Sequence, residues 1–253
     1  MARSISARNS SSGRIRIYDA LRGLSVVSMI AFHACYDLKF IYGQDLSWFA
    51  PPLIDIWRAS ISWTFLFIAG AMVPLSRNNF KRAGSYLAVA LAVYVATTVA
   101  EVDSPISFGI IFCMGICTLV GAILQKFKLL PRGPVAAAAF FAVFILFLDI
   151  PQGTAAFGSV EIPEAIYSTG LFSWAGFPGK GFVSGDYYPV FPYIFMYLSG
   201  TSLGMWWKTL GYSKLARTFV VRPLNFIGKN ALVIYAAHQP IIMAIISLVL
   251  SRS

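Results

Sequence analysis

The chain has 253 residues, of which 58% are hydrophobic and only 12% charged, with mean hydropathy +0.71. A soluble domain carries about 25% charged residues to wet its surface, so this composition excludes an ordinary soluble fold and calls for lipid around the chain. The net charge of +10 would suit nucleic acid. However, the basic residues lie in short stretches flanking apolar runs, which favours a lipid surface and speaks against a nucleic-acid partner.

Residues 1–18 form a basic tail with Arg3, Arg8, Arg14 and Arg16, too long and too rich in Ser and Arg for a signal-peptide n-region. The apolar run after it lacks a small-residue cleavage pattern and is expected to be a first membrane span. A bilayer core about 30 Å thick takes roughly 20 helical residues. On that template seven spans are predicted: Ala20–Phe40, Ile54–Leu75, Ala83–Ala100, Ile106–Leu124, Val135–Ile150, Pro189–Trp207 and Asn230–Leu250. The apolar runs are continuous rather than alternating, which disfavours strands, and no internal repeat is apparent. The expected fold is therefore all-α, a polytopic transmembrane bundle over residues 19–251.

Loop charges orient the bundle. One side carries the tail, then Arg77, Lys81 and Arg82, then Lys126, Lys128 and Arg132, then Lys208, Lys214, Arg217, Arg222 and Lys229. The other side carries Asp45, Asp55, Glu101, Asp103, Glu161, Glu164 and Asp186, with few bases. Basic loops face the cytoplasm, so the N-terminus is expected inside and the C-terminus outside. The outer loop 151–188 is long, with Gly, Pro and aromatic clusters, and is expected to be ordered and partly re-entrant. The tryptophans cluster near predicted interfaces, as an aromatic belt would. Cys35, Cys113 and Cys117 all lie in apolar runs and read as small packing residues. Two thiols on one helix face make a poor metal site, and no metal is expected.

The candidate chemistry is concentrated in the histidines, His33 and His238, both inside predicted spans, where ionisable groups face a bundle interior or a wet cavity. A neutral histidine bonded for packing is the plain alternative for each. Asp37 follows His33 by four residues and so shares its helix face, where a carboxylate can hold an imidazole's tautomer and orientation. The plain role for Asp37 is a solvated interface residue. Asp19 fits an N-cap, and Arg22 fits either a snorkelling side chain or a phosphate clamp. Pro240, two residues after His238, can open backbone groups to a cavity. Gly176-Phe177-Pro178-Gly179-Lys180-Gly181 lacks the spacing and the Ser/Thr of a phosphate loop and is set aside.

The stretches Arg16-Ile17-Tyr18-Asp19-Ala20-Leu21-Arg22-Gly23-Leu24, His33 with Tyr36-Asp37-Leu38, and Thr64–Gly70 resemble a known family. So do Asp186-Tyr187-Tyr188-Pro189-Val190-Phe191-Pro192 and Ile227–Leu232 with Tyr235 and His238-Gln239-Pro240. That family is the heparan-α-glucosaminide N-acetyltransferase catalytic domain, which is distantly similar to acyltransferase-3 membrane proteins. The resemblance implies a multi-pass enzyme of the cell membrane. It would move an acetyl group from cytosolic acetyl-CoA to a sugar amine or hydroxyl of an extracytoplasmic glycan or glycolipid. It carries a catalytic role onto His33, which the shared helix face would join to Asp37 as a further catalytic residue, and a supporting or substrate-site role onto His238. Asp186, Tyr187 and Gln239, within the matched motifs, are the expected acceptor-binding residues. The family pattern often has a histidine in the fourth span, where this chain reads Phe112-Cys113, so that residue's duty does not carry over.

Acetyl transfer also accords with the charge pattern. The CoA phosphates would rest on the basic inner face, at Arg16, Arg22, Lys126 and Lys128, with the pantetheine arm reaching inward toward His33 as base or nucleophile. Amides of Asn225, Asn230 or Gln239 are candidate oxyanion donors. Lipid, acetyl-CoA and the glycan acceptor are the expected partners, and a homo-oligomer is compatible with the sequence. A proton-coupled transporter or a lipid- or glycan-translocating protein is the alternative, since intramembrane His and Asp also suit proton relays.

Overall fold

A computed structural model describes residues 15–252. The tail residues Arg3, Arg8 and Arg14 therefore lie outside the described residues. Nine helices run α1 (Arg16–Tyr36), α2 (Leu53–Ala71), α3 (Asn79–Ala100), α4 (Ile110–Lys126), α5 (Pro134–Leu146), α6 (Val190–Thr209), α7 (Lys214–Thr218), α8 (Arg222–Lys229) and α9 (Ala231–Leu250) among the described residues. Among the described residues, five helical stretches are long and apolar enough to cross a bilayer: Arg16–Ile41, Leu53–Leu75, Asn79–Ala100, Pro134–Gln152 and Ala231–Leu250. α4 is apolar but shorter, and α6 has the length but carries more polar residues. Each of the seven predicted spans thus coincides with a helix, and five of them meet both conditions for a crossing.

The helices depart from the predicted bounds where neighbours intervene. α1 begins at Arg16, inside the expected tail, because Ile15 and Tyr18 are buried and Tyr18 meets Trp207 and Tyr212 edge-on. Asp19 is accordingly inside the helix rather than its N-cap, and its carboxylate faces Arg22. α4 starts four residues late. The backbone ahead of it is held out of the helix by Thr97 Oγ1, which accepts from Ile106 N–H at 3.0 Å, and by Ser184 Oγ, which accepts from Ser107 N–H at 3.1 Å.

α2 and α6 lie side by side and run in the same direction, with Phe67 against Gly200, Ala71 against Gly204 and the Pro74 carbonyl on Lys208 Nζ at 2.6 Å. A Cβ at Gly200 would strike the Phe67 carbonyl, so the two backbones touch through small residues as membrane helices often do. α1 and α9 also run in the same direction: the His33 ring meets His238, and Tyr42 further along bonds Ser247 Oγ at 2.6 Å. The main core, with Leu66, Val73, Cys113, Cys117, Phe144 and Tyr197 among its members, is built from α2, α4, α5 and α6 and extends to Val26, Met29 and Phe32 of α1. Both cysteines are packing residues there, their sulfurs 3.8 Å apart.

The long loop is ordered. A two-residue antiparallel ladder pairs Thr154–Ala155 with Val160–Glu161, a small β element not expected from the sequence. Tyr167 donates to the Ile150 carbonyl and Tyr187 to the Ser173 carbonyl, both at 2.6 Å, and Phe177 stacks on Phe191. These contacts fasten the loop over the end of α5 and the start of α6.

Candidate functional site

α1 and α9 bring the two histidines together across the fold. His33 stands seventeen residues above the start of α1, about 26 Å along a helix rising 1.5 Å per residue. His238 stands only seven residues into α9, because the polypeptide between α6 and α9 forms α7 and α8 beside the lower part of α1 and lifts the start of α9. The ring centroids are 5.0 Å apart and the planes inclined by 56°.

The hydrogen bonding of His238 sets its chemistry. Its Nδ1 lies 2.5 Å from the Tyr235 carbonyl oxygen, and only a ring N–H can satisfy that contact. The neutral ring therefore carries its proton on Nδ1 and a lone pair on Nε2. Nε2 is buried with no hydrogen-bond partner, and the residue is 8% exposed. A buried imidazole nitrogen with a fixed tautomer and a free lone pair is a proton acceptor awaiting a donor.

Asp37 lies where α1 passes into a π-helical turn, Asp37–Ile41, and is fully buried. π-turns inside helices are frequent at functional sites. Both carboxylate oxygens accept from Gln239 Nε2, each at 2.9 Å. The expectation that Asp37 orients His33 is thus corrected. The helical register loosens at Asp37, and the Gln239 amide offers N–H donors that the carboxylate takes instead. Gln239 Oε1 is buried and has no partner, so the amide is committed at its nitrogen and open at its oxygen.

Other expected site residues serve the scaffold. Asp186 Oδ2 accepts from Ile110 N–H at 3.1 Å and caps α4 from a distance. Burial pushes the Asp186 carboxyl up to about 6, while the Ile110 N–H and the Arg58 charge hold it down. Tyr187 spends its hydroxyl on Ser173 within the outer loop. Arg22 donates to Asp19 Oδ1 at 3.3 Å, to the Gly228 carbonyl and to Met72 Sδ at 3.4 Å, joining α1 to α8 and to the end of α2. The candidate oxyanion amides are likewise engaged: Asn225 Nδ2 donates to the Arg16 carbonyl at 2.7 Å, Asn230 Nδ2 to Phe226 at 2.9 Å, and Gln239 to Asp37. Each of those three side chains thus has an N–H committed to the scaffold.

Arg16, at the start of α1, and Lys126 and Lys128, at and just past the end of α4, are exposed. Lys126 borders an open groove of ≈ 360 Å³ with Arg77, Asn79 and Gln125. The pairings His33–His238 and Asp37–Gln239 were not legible in the sequence, because each joins residues about 200 positions apart. The shared signal was the position of both histidines inside apolar runs.

Apolar helices enclosing a histidine pair and a buried carboxylate–amide pair define a polytopic membrane protein with an internal polar site. The family model for the heparan-α-glucosaminide N-acetyltransferase catalytic domain matches residues 14–240, and the chain belongs to that family. Membership indicates acetyltransferase-type activity in a membrane. No curated protein and no solved structure matches the chain.

Proposed function

We propose that the protein transfers an acetyl group from acetyl-CoA, held on the basic cytoplasmic side, to a sugar amine or hydroxyl of an extracytoplasmic glycan or glycolipid at the cell membrane. The observation that carries this reading is His238 Nε2, a buried lone pair with its tautomer fixed, set 5.0 Å from the ring of His33. In the direct route, a histidine takes the acceptor proton as the amine or hydroxyl attacks the thioester carbonyl. The C–S bond then breaks, and the proton passes to the departing CoA thiolate. The acceptor gains an acetyl group and free CoA leaves, so atoms balance. His33, further along α1 and bonded to no protein group among the described residues, is the partner ring that either shares this proton or itself carries the acetyl group.

Seven crossings with the N-terminus inside and the C-terminus outside accord with two features: the loop charges, and the parallel pairs α1/α9 and α2/α6, each separated by an odd number of intervening crossings. The donor nucleotide would rest on Arg16, Lys126 and Lys128, with Arg22 holding the α1–α8 junction beneath the path of the pantetheine arm. The test is acceptor-dependent release of CoA by purified protein in lipid nanodiscs given acetyl-CoA and glucosamine, with the acetylated product identified by mass. Protein that binds acetyl-CoA yet gives no acceptor-dependent release would overturn the reading, and the facing imidazoles would then favour a proton relay.

A further inference from the structure

We infer that Asp37 is a positioning residue for the acceptor, acting through Gln239. A carboxamide has a donor end and an acceptor end of nearly equal shape, so a side chain lining a site can present either. Here the fully buried carboxyl group of Asp37 takes Nε2 with both oxygens at 2.9 Å. The reversed amide would set Oε1 against two carboxyl oxygens and forfeit both bonds. Gln239 Oε1 is therefore obliged to face away from Asp37, where it is buried and has no partner. One residue earlier on the same helix, the Tyr235 carbonyl fixes His238 in the same sense, with Nδ1 engaged and Nε2 bare.

Two adjacent residues of α9 are thus locked, by two separate anchors, so that each leaves an unpartnered acceptor atom. Buried acceptors without donors are costly, and a site built this way selects a ligand that brings N–H or O–H groups and rejects an isostere lacking them. The ligand chemistry is a neutral amine or hydroxyl with a second donor beside it, as on the ring of an amino sugar. The choice of acceptor class rests on the acetyl-transfer reading; the orientation of the Gln239 amide and the His238 ring rests on the geometry alone.

The test is a polarity exchange. Binding of radiolabelled glucosamine is measured by equilibrium dialysis on the full-length protein in nanodiscs, alongside acceptor-dependent CoA release. Gln239→Glu sets a carboxylate against Asp37 and is expected to weaken glucosamine binding at least tenfold. Asp37→Asn combined with Gln239→Glu restores one donor and one acceptor across the pair, and is expected to recover binding to within about threefold of wild type. A pair that merely supports the fold would instead show its loss and recovery in the melting temperature, with glucosamine binding per folded molecule unchanged in Gln239→Glu. A double variant no better than Gln239→Glu, or a wild-type protein that fails to bind glucosamine, overturns the inference. Binding and rescue without CoA release would leave the positioning role standing and remove the transfer reading instead.

Discussion

The guanidinium of Arg22 donates to the carbonyl of Gly228, tying the first helix to the short helix α8 across 206 positions of sequence. The same group reaches Asp19 and Met72, so one cation links α1, α8 and the end of α2. Asp19 is only 1% exposed, and removing the cation would leave a buried carboxylate without this partner. Removing one member of a buried ion pair is destabilising. Arg22→Ala is therefore expected to lower the melting temperature of the detergent-purified protein by several degrees, while Lys126→Ala leaves it near wild type. A melting temperature unchanged in Arg22→Ala would return Arg22 to the role of a phosphate clamp.

Much of the fold was legible because lipid imposes one rule on every span: the apolar run must be long enough, and its flanks must be charged. The helices therefore fell on the predicted runs, while their ends moved where tertiary contacts took over, as at Tyr18 and Ile110. The site was legible in part. His33, Asp37, His238 and Gln239 stood out as polar groups in apolar surroundings, but i,i+4 spacing paired Asp37 with the wrong residue. The partner that prevailed, Gln239, is presented by a helix whose placement depends on α8 packing against α1 through Gly23 and Gly228. Nothing local in the sequence encodes that placement.

Asp186 offers a pH-dependent prediction. Its carboxyl is pushed up to about 6 by burial, above the ordinary carboxylate range. Between about pH 4 and 6 the folded protein then holds more protons at this site than the unfolded chain, so stability falls as pH rises through that window. In Asp186→Asn, which keeps an acceptor for the Ile110 N–H, this fall disappears. Thermal melts of both proteins from pH 4 to 7 are expected to show wild type losing ground to the variant between about pH 4 and 6 and levelling off above that. Parallel curves across the range would contradict the raised value.

The crossing number has a direct test. Single cysteines at Lys81, Lys128 and Lys214, in a background lacking Cys35, Cys113 and Cys117, are expected to react with a membrane-impermeant maleimide only in inverted vesicles. One at Glu161 is expected to react in intact cells. Labelling of the Lys214 position from outside would remove one crossing and break the parallel pairing of α2 with α6 as membrane spans.

The histidine pair gives the sharpest prediction, because the two rings differ in how they are held. His238 has a fixed tautomer and a bare Nε2, whereas no bond to a protein group fixes His33 among the described residues. If His238 is the base, His238→Ala should bind acetyl-CoA and lose acceptor-dependent turnover by about 10²–10⁴-fold, the range for removing a general base. His33→Ala should cost a similar factor if the two rings pass one proton between them, and the double variant should be little worse than either single, since residues acting as a unit are strongly non-additive. If His33 instead carries the acetyl group, brief incubation with acetyl-CoA labelled in the acetyl carbon should leave label on wild type and on His238→Ala but none on His33→Ala. A His238→Ala protein that turns over at the wild-type rate would remove the fixed lone pair from the mechanism and leave His33 as the working base.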